Sequence, residues 1–201
     1  MQLPYLIDLV AVGVFAISGT LAAGRKSLDL VGVYVVAVVT AIGGGTLRDV
    51  LLSRHPLFWV TDPNYLYSIT AAVVLTLAYV RFRPPPHQVL LIADAIGLSV
   101  FSIVGAQFAE ELGRPRIVAL VMGTLTGTAG GVLRDMLCND IPILFREGYL
   151  YATAAAVGAT LYLLIEEPLG RDWAAYIGMA VVAALRLGSI IYKWNLPRFT
   201  L

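Results

Sequence analysis

The sequence predicts an all-α polytopic membrane protein with seven transmembrane helices, arranged as two inverted three-helix repeats plus a seventh helix. Of its 201 residues, 59% are hydrophobic and 13% are charged, and the mean hydropathy is +0.82. Soluble domains are roughly 45–50% apolar and about 25% charged. Seven apolar segments, each near the roughly 20 residues that a spanning helix takes, fill the chain and leave only short loops. The first three segments correspond to the next three at a constant offset of 86 positions, as Gly44 does to Gly130.

Span one, Tyr5–Ala23, carries a single charge, Asp8, near its start. The basic segment and cleavage site of a signal peptide do not precede it, so it is expected to be a retained helix. The turn Gly24-Arg25-Lys26-Ser27 leads to span two, Leu30–Ser53. Asp62-Pro63-Asn64 precedes span three, Tyr65–Phe82, and Pro84-Pro85-Pro86 follows it. Three prolines cannot continue a helix, so they mark the joint between halves. Span four, Val89–Ala109, carries Asp94. Gly113-Arg114-Pro115 separates it from span five, Arg116–Cys138. Span six, Tyr149–Ile165, stops at Glu166-Glu167-Pro168. Span seven, Trp173–Trp194, holds Arg186 inside its apolar run. A single transmembrane domain over 1–201 thus divides into repeat one over 5–83, repeat two over 87–166 and a last helix over 172–195.

The correspondence of the halves rests on polar and special residues. Asp8 aligns with Asp94, Phe15 with Phe101, Gly19 with Gly105, Thr40 with Thr126 and Pro56 with Pro142. Leu47-Arg48-Asp49 aligns with Leu133-Arg134-Asp135. After a two-residue slip, Tyr65-Leu66-Tyr67 aligns with Tyr149-Leu150-Tyr151. Three spans per half is an odd number, so the second half enters the membrane upside down. Such inverted repeats place a functional site near the midplane where they meet.

Lysine and arginine in the loops set the orientation. One side has Arg25, Lys26, Arg81, Arg83, Arg146, Lys193 and Arg198; the other has Arg54, Arg114, Arg116 and Arg171. The richer side is expected to be cytoplasmic, with the N-terminus outside and the C-terminus inside a cell's inner (plasma) membrane. Ten aromatic residues, Tyr5, Tyr34, Tyr65, Tyr67, Trp59, Tyr149, Tyr151, Trp173, Tyr192 and Trp194, fall mostly near span ends and are expected to form interfacial belts.

The candidate site lies in spans two and five. Span two carries Gly43-Gly44-Gly45-Thr46-Leu47-Arg48-Asp49, and span five carries Gly123, Gly127, Gly130, Gly131, Arg134 and Asp135. Small residues four apart, as at Gly123 and Gly127, suit close helix packing. Consecutive glycines suit a kinked or unwound helix, whose freed carbonyls could serve a cation. The two-fold relation suggests cross pairing, Arg48 with Asp135 and Arg134 with Asp49, either as a structural lock or as charges lining a pore. Asp8 and Asp94 are candidate mouth charges, or else carboxylates placed for the helix macrodipole. Arg186 either snorkels to the cytoplasmic side or pairs with an acid inside the bundle.

Catalysis has little support. His55 and His87 fall in loops, and no nucleophile elbow, P-loop or zinc-protease motif occurs. Cys138 alone makes neither an intramolecular disulfide nor a cysteine-built metal site. No cofactor is called for, and a net charge of +1 gives no reason to expect a nucleic-acid partner.

With these three-helix repeats, a seventh helix and glycines before Arg-Asp in spans two and five, the chain resembles the prokaryotic branch of the trimeric intracellular cation channel (TRIC) family. The most specific segments are Ala41 to Asp49 and Gly130-Gly131-Val132-Leu133-Arg134-Asp135. The resemblance implies a homotrimer in membrane lipid, with a path for potassium or sodium ions inside each subunit between kinked helices two and five. It also implies a rival, since the same prokaryotic group has been linked to glycine uptake: a secondary transporter of glycine or another small zwitterion. Ala129 departs from the triple glycine of the first copy.

Overall fold

The computed structural model describes residues 5–83, 85–86, 88–147 and 149–194. Pro84, His87 and Arg198 lie outside the described residues, as do the expected start of repeat two at 87 and end of the last helix at 195. Every long apolar segment folds as a helix. In order these are α1 (Tyr5–Arg25), α2 (Leu30–Leu51), a short α3 (Phe58–Thr61), α4 (Asn64–Phe82), α5 (Gln88–Glu111), α6 (Arg116–Leu137), a 3₁₀ turn (Ile143–Phe145), α7 (Ala152–Leu169) and α8 (Arg171–Tyr192). No strand occurs among the described residues.

The helix ends have local causes. Asp29 opens α2, its Oδ1 accepting from the Gly32 N–H at 2.7 Å, which satisfies one orphan donor of the first turn. α2 and α6 stop in the same way. Ser53 and Asn139 follow them with φ of 56° and 53°. The next amides, of Arg54 and Asp140, donate back to the carbonyls of Asp49 and Asp135 at 2.7 and 2.9 Å. A left-handed residue after the last turn closes the orphan carbonyls.

Among the described residues six helices, α1, α2, α4, α5, α6 and α8, are long and apolar enough to cross a membrane. The seventh expected span, α7, falls short of that measure because its 18 residues include Glu166, Glu167 and Pro168. These three were expected to break the chain, yet the helix runs through them to Leu169. A proline in the last turn loses one bond without ending the helix, and the positive φ of Gly170, 82°, makes the turn instead.

α5 is the centre of the bundle. It packs on α1, α6, α7 and α8, and 83% of its apolar window is buried, against 28% for α4 at the edge. A helix that is apolar all round belongs inside such a bundle. The outer surface carries Leu6, Val10, Leu75, Phe82, Leu164 and Ile191, all exposed, as lipid contact requires. Hydroxyls inside the bundle are satisfied locally: Thr40 and Thr126 donate to the carbonyls of Val36 and Met122, each at 2.6 Å.

Candidate functional site

The glycine motifs do not break their helices. α2 is continuous through Gly43, Gly44 and Gly45, and α6 is continuous through Gly127, Gly130 and Gly131. The expected unwinding is therefore corrected, and the reason lies in the neighbours. Successive residues of a helix point about 100° apart, so three glycines in a row meet three different partners. A Cβ on Gly44 would fall on the Thr126 carbonyl oxygen, one on Gly43 would lie 2.8 Å from Leu133 Cδ1, and one on Gly45 would lie 2.7 Å from Phe58 Cε1. In return, a Cβ on Gly130 would fall on the Thr40 carbonyl oxygen. Gly44 on Thr126 and Gly130 on Thr40 are one contact made twice, because Thr40 and Gly44 precede Thr126 and Gly130 by 86 positions. α2 and α6 thus meet backbone to backbone, and the pairing of 40 with 130 and 44 with 126 makes them antiparallel there.

That crossing explains a second correction. The arginines do not pair across it. Arg48 Nη2 lies 2.7 Å from Asp49 Oδ1, and Arg134 Nη2 lies 2.8 Å from Asp135 Oδ1, each pair buried. In antiparallel helices, Arg48 and Arg134 lie about six residues past the crossing in opposite directions, about 18 Å apart along the axis at 1.5 Å per residue. Cross pairing is out of reach, and the flexible guanidinium curls back onto its neighbour.

Each Arg-Asp pair anchors a cluster. In the first, Asp49 Oδ2 accepts from the Phe58 N–H at 3.2 Å, and Arg48 stacks 4.0 Å from the centre of the Phe108 ring. Tyr65 donates its hydroxyl to Asp8 Oδ2 at 2.6 Å. In the second, Asp135 Oδ2 accepts from the Ile143 N–H at 2.7 Å, and Tyr151 donates to Asp94 Oδ1 at 3.0 Å. Arg134 Nη1 also donates to Asp94 Oδ1 at 2.7 Å and to Ser18 Oγ at 2.5 Å. Arg186 pairs within the bundle rather than snorkelling, with Nη2 3.5 Å from Asp94 Oδ2. Asp94 lies in the second turn of α5 and is fully buried, so it stands inside the protein and not at an exposed mouth. Asp8, in the first turn of α1, does face a cavity.

The tyrosines correct the alignment of the halves. Tyr65 to Asp8 and Tyr151 to Asp94 both span 57 positions, so Tyr151 is the counterpart of Tyr65 and the 86 offset holds without a slip. Both tyrosines are buried and serve carboxylates, unlike Tyr67, Trp173 and Tyr192, which are exposed. Gly131 makes room for this: a Cβ there would strike the Tyr151 hydroxyl. Gly127 seats α6 on Ser102 of α5, in the packing role expected of small residues. Gly43 and Thr46 are drawn away from the charges. They line an apolar outer groove of about 480 Å³ with Val39, Leu47 and Leu133, where Thr46 Oγ1 accepts from Trp59 Nε1 at 3.0 Å.

Two polar cavities lie at opposite ends of α1 and α5. The first, about 220 Å³, is lined by Asp8, Asp62, Glu111 and Arg54 with Tyr65 and Phe108. The second, about 260 Å³, is lined by Arg25, Lys26, Arg146, Asp135 and Asp140 with Tyr149. Glu111 and Arg54 of the first correspond to Arg25 and Asp140 of the second at the same offset, so the matching charges are reversed. One cavity is acidic in balance and the other basic. Between them the backbone contact of α2 and α6 and the stacked rings of Phe15 and Phe101, 5.3 Å apart, fill the middle.

The sequence placed Tyr65 and Tyr151 among belt residues rather than on carboxylates, and it gave no sign of Phe58, Ser18 or the target of Arg186. An unbroken offset of 86 would have found the tyrosines. Nothing local marks the others, because their partners are brought by different helices.

The comparisons with known proteins agree with this architecture. A family model described as Glycine transporter matches residues 5–82 and 91–167. The UPF0126 inner membrane protein YadS of Escherichia coli K12 is 41% identical over 205 residues, covering 100% of this chain and 98% of its own length. The TRIC trimeric intracellular cation channel orthologue from Rhodobacter sphaeroides superposes with a TM-score of 0.88 at 34% identity, covering 94% of this chain and 97% of that one. A prokaryotic TRIC channel crystallised in 0.5 M KCl superposes with a TM-score of 0.88 at 32% identity, covering 95% and 97%.

Proposed function

We propose that this chain, which belongs to the prokaryotic TRIC family whose model is described as Glycine transporter, is a passive channel for monovalent cations and is permeable to potassium. The observation that carries the reading is the pair of buried Arg-Asp clusters, one on each side of the α2–α6 crossing and each beside a polar cavity. Charged groups inside a membrane protein cost on the order of 2.5–3.5 kcal/mol each on insertion scales, and they mark ion paths and relays by default. A scaffold has no need of them twice.

The path runs within one subunit, from the cavity at Asp8, past Arg48 and Asp49, through the α2–α6 crossing, to Arg134, Asp135 and the second cavity. The two repeats, 5–83 and 87–166, are inverted about this crossing, and the last helix lies outside them. The path is shut where Gly44 and Gly130 meet the opposing carbonyls. Conduction therefore requires α2 and α6 to part there. The subunits assemble as a homotrimer in the lipid of an inner (plasma) membrane, N-terminus outside and C-terminus cytoplasmic. The TRIC neighbours and the inner-membrane relative support the assembly and the membrane; the bias of lysine and arginine supports the orientation.

The rival is a secondary transporter of glycine or a similar zwitterion. The description of the family model favours it, and so do two cavities separated by a seal, which suit alternating access. Planar-bilayer recording of the purified protein, set beside uptake of labelled glycine into proteoliposomes, decides between them. Unitary potassium currents are expected. Saturable, ion-coupled glycine uptake without unitary currents would replace the channel with the transporter.

A further inference from the structure

Asp8 and Asp94 occupy matching places, and each accepts a hydrogen bond from its own tyrosine. Their remaining surroundings differ. Asp8 faces a cavity and, among the described residues, no guanidinium lies within ion-pair distance of it. Asp94 is enclosed between two guanidiniums, Arg134 and Arg186. The second comes from α8, which has no counterpart in the other half.

The Arg186 contact is unlike the Arg134 contact. Arg134 Nη1 sits 2.7 Å from Asp94 Oδ1, a charge-assisted hydrogen bond. Arg186 Nη2 stands 3.5 Å from Asp94 Oδ2, beyond hydrogen-bond length. Among the described residues Asp94 Oδ2 has no hydrogen-bond partner, and neither do Arg186 Nε and Nη2, although both side chains are fully buried. Arg186 is held there by charge, by Ser189 Oγ 3.5 Å from its Nη1, and by the rings of Tyr151 and Tyr149, 4.6 and 5.8 Å from its guanidinium carbon. A lock selected for stability would satisfy those donors, because a buried charged group left without its bonds is costlier than a neutral one. In the first half the corresponding carboxylate, among the described residues, is held by a hydrogen bond from Tyr65 with no ion pair.

The charges point the same way. Arg134 and Arg186 balance Asp94 and Asp135 one for one. Without Arg186 this enclosed group is one positive charge short, and any small cation that reached Asp94 Oδ2 would restore the balance.

We infer that Asp94 is a monovalent-cation site whose occupant in this state is the chain's own Arg186, a tethered cation delivered by α8. Potassium and Arg186 then compete for one carboxylate oxygen, and withdrawal of α8 exposes the site to the second cavity beside Asp135 and Tyr149. The inference rests on the proposed cation path, and its test is separable from it.

The test is the melting temperature of the purified full-length protein in potassium chloride against choline chloride at equal ionic strength. Wild type should be indifferent to the choice. Arg186→Gln should melt lower in choline and recover by about 5 °C in potassium, saturably, because a ligand bound only by the folded state stabilises it by mass action. In Arg186→Gln with Asp94→Asn the potassium effect should vanish. A folded Arg186→Gln protein indifferent to potassium would overturn the inference. If that variant yields no folded protein, Arg186→His takes its place. At about pH 5.5 its imidazolium substitutes for the guanidinium and potassium should not matter, while at about pH 8 the neutral ring should leave the site to potassium. Indifference at both values overturns the inference as well. Absence of unitary current in wild type would count against the channel and leave this competition intact; potassium-indifferent melting of Arg186→Gln would do the reverse.

Discussion

The α-carbon of Gly44 rests against the carbonyl oxygen of Thr126, so closely that a single added methyl group would occupy the oxygen's place. The same contact recurs between Gly130 and Thr40. Helix backbones approach this far only where side chains are absent, and this close approach sets where every charge on α2 and α6 can reach.

Gly44→Ala and Gly130→Ala should each destabilise the protein by about 1–3 kcal/mol, the usual cost of overpacking against a rigid neighbour. Gly24→Ala, with nothing within 4 Å of its Cβ, should be neutral or stabilising by up to about 1 kcal/mol. Thermal melting of the three variants in one detergent checks this. A Gly44→Ala protein as stable as Gly24→Ala would mean that the crossing is looser than described.

Arg48 should be coupled to Asp49 and not to Asp135. In double-mutant cycles read by denaturation, Arg48→Ala with Asp49→Ala should depart from additivity by about 0.5–3 kcal/mol, whereas Arg48→Ala with Asp135→Ala should be additive within about 0.5 kcal/mol. The reverse outcome would restore cross pairing.

Tyr151→Phe removes a hydroxyl that donates to a buried carboxylate at 3.0 Å. A hydrogen bond to a charged group contributes about 1.5–3 kcal/mol, and that loss is expected. Tyr149→Phe should stay within about 0.5 kcal/mol of wild type, as substitutions clear of such features do. Equal losses at the two positions would revive the slipped alignment.

The acidic first cavity should gather cations at low salt. Asp62→Asn is therefore expected to lower unitary potassium conductance at about 0.01 M salt, where the Debye length is about 30 Å, and to leave it unchanged at about 1 M, where it is about 3 Å. Asp62 lies in that cavity beside Asp8 and Glu111. Equal conductance at low salt would show that ions do not enter through this mouth.

Particular residues show why part of this protein is legible in its sequence. Hydropathy and turn chemistry are local, so the helices appear close to their expected bounds: α6 ends at Leu137 where Cys138 was expected. The Asp8 and Asp94 match and the Arg-Asp match are also local facts, visible as a repeated string. The role of the glycines was not legible. A run of three can unwind a helix or let it be touched on three sides, and the choice depends on Leu133, Thr126 and Phe58, which come from elsewhere in the chain.

By itself, then, the sequence determined the membrane class, the helices, the offset of 86 and the repeated Arg-Asp pairs. Each follows from composition or spacing along one chain. The tertiary structure decided the partners: Arg48 with Asp49, Tyr151 rather than Tyr149 with Asp94, and Arg186 inward to Asp94 rather than outward to solvent. The physical reason is geometric. α2 and α6 run antiparallel through a glycine contact, which carries their arginines to opposite sides of the crossing, and only the packing of α8 on α5 brings Arg186 to its carboxylate.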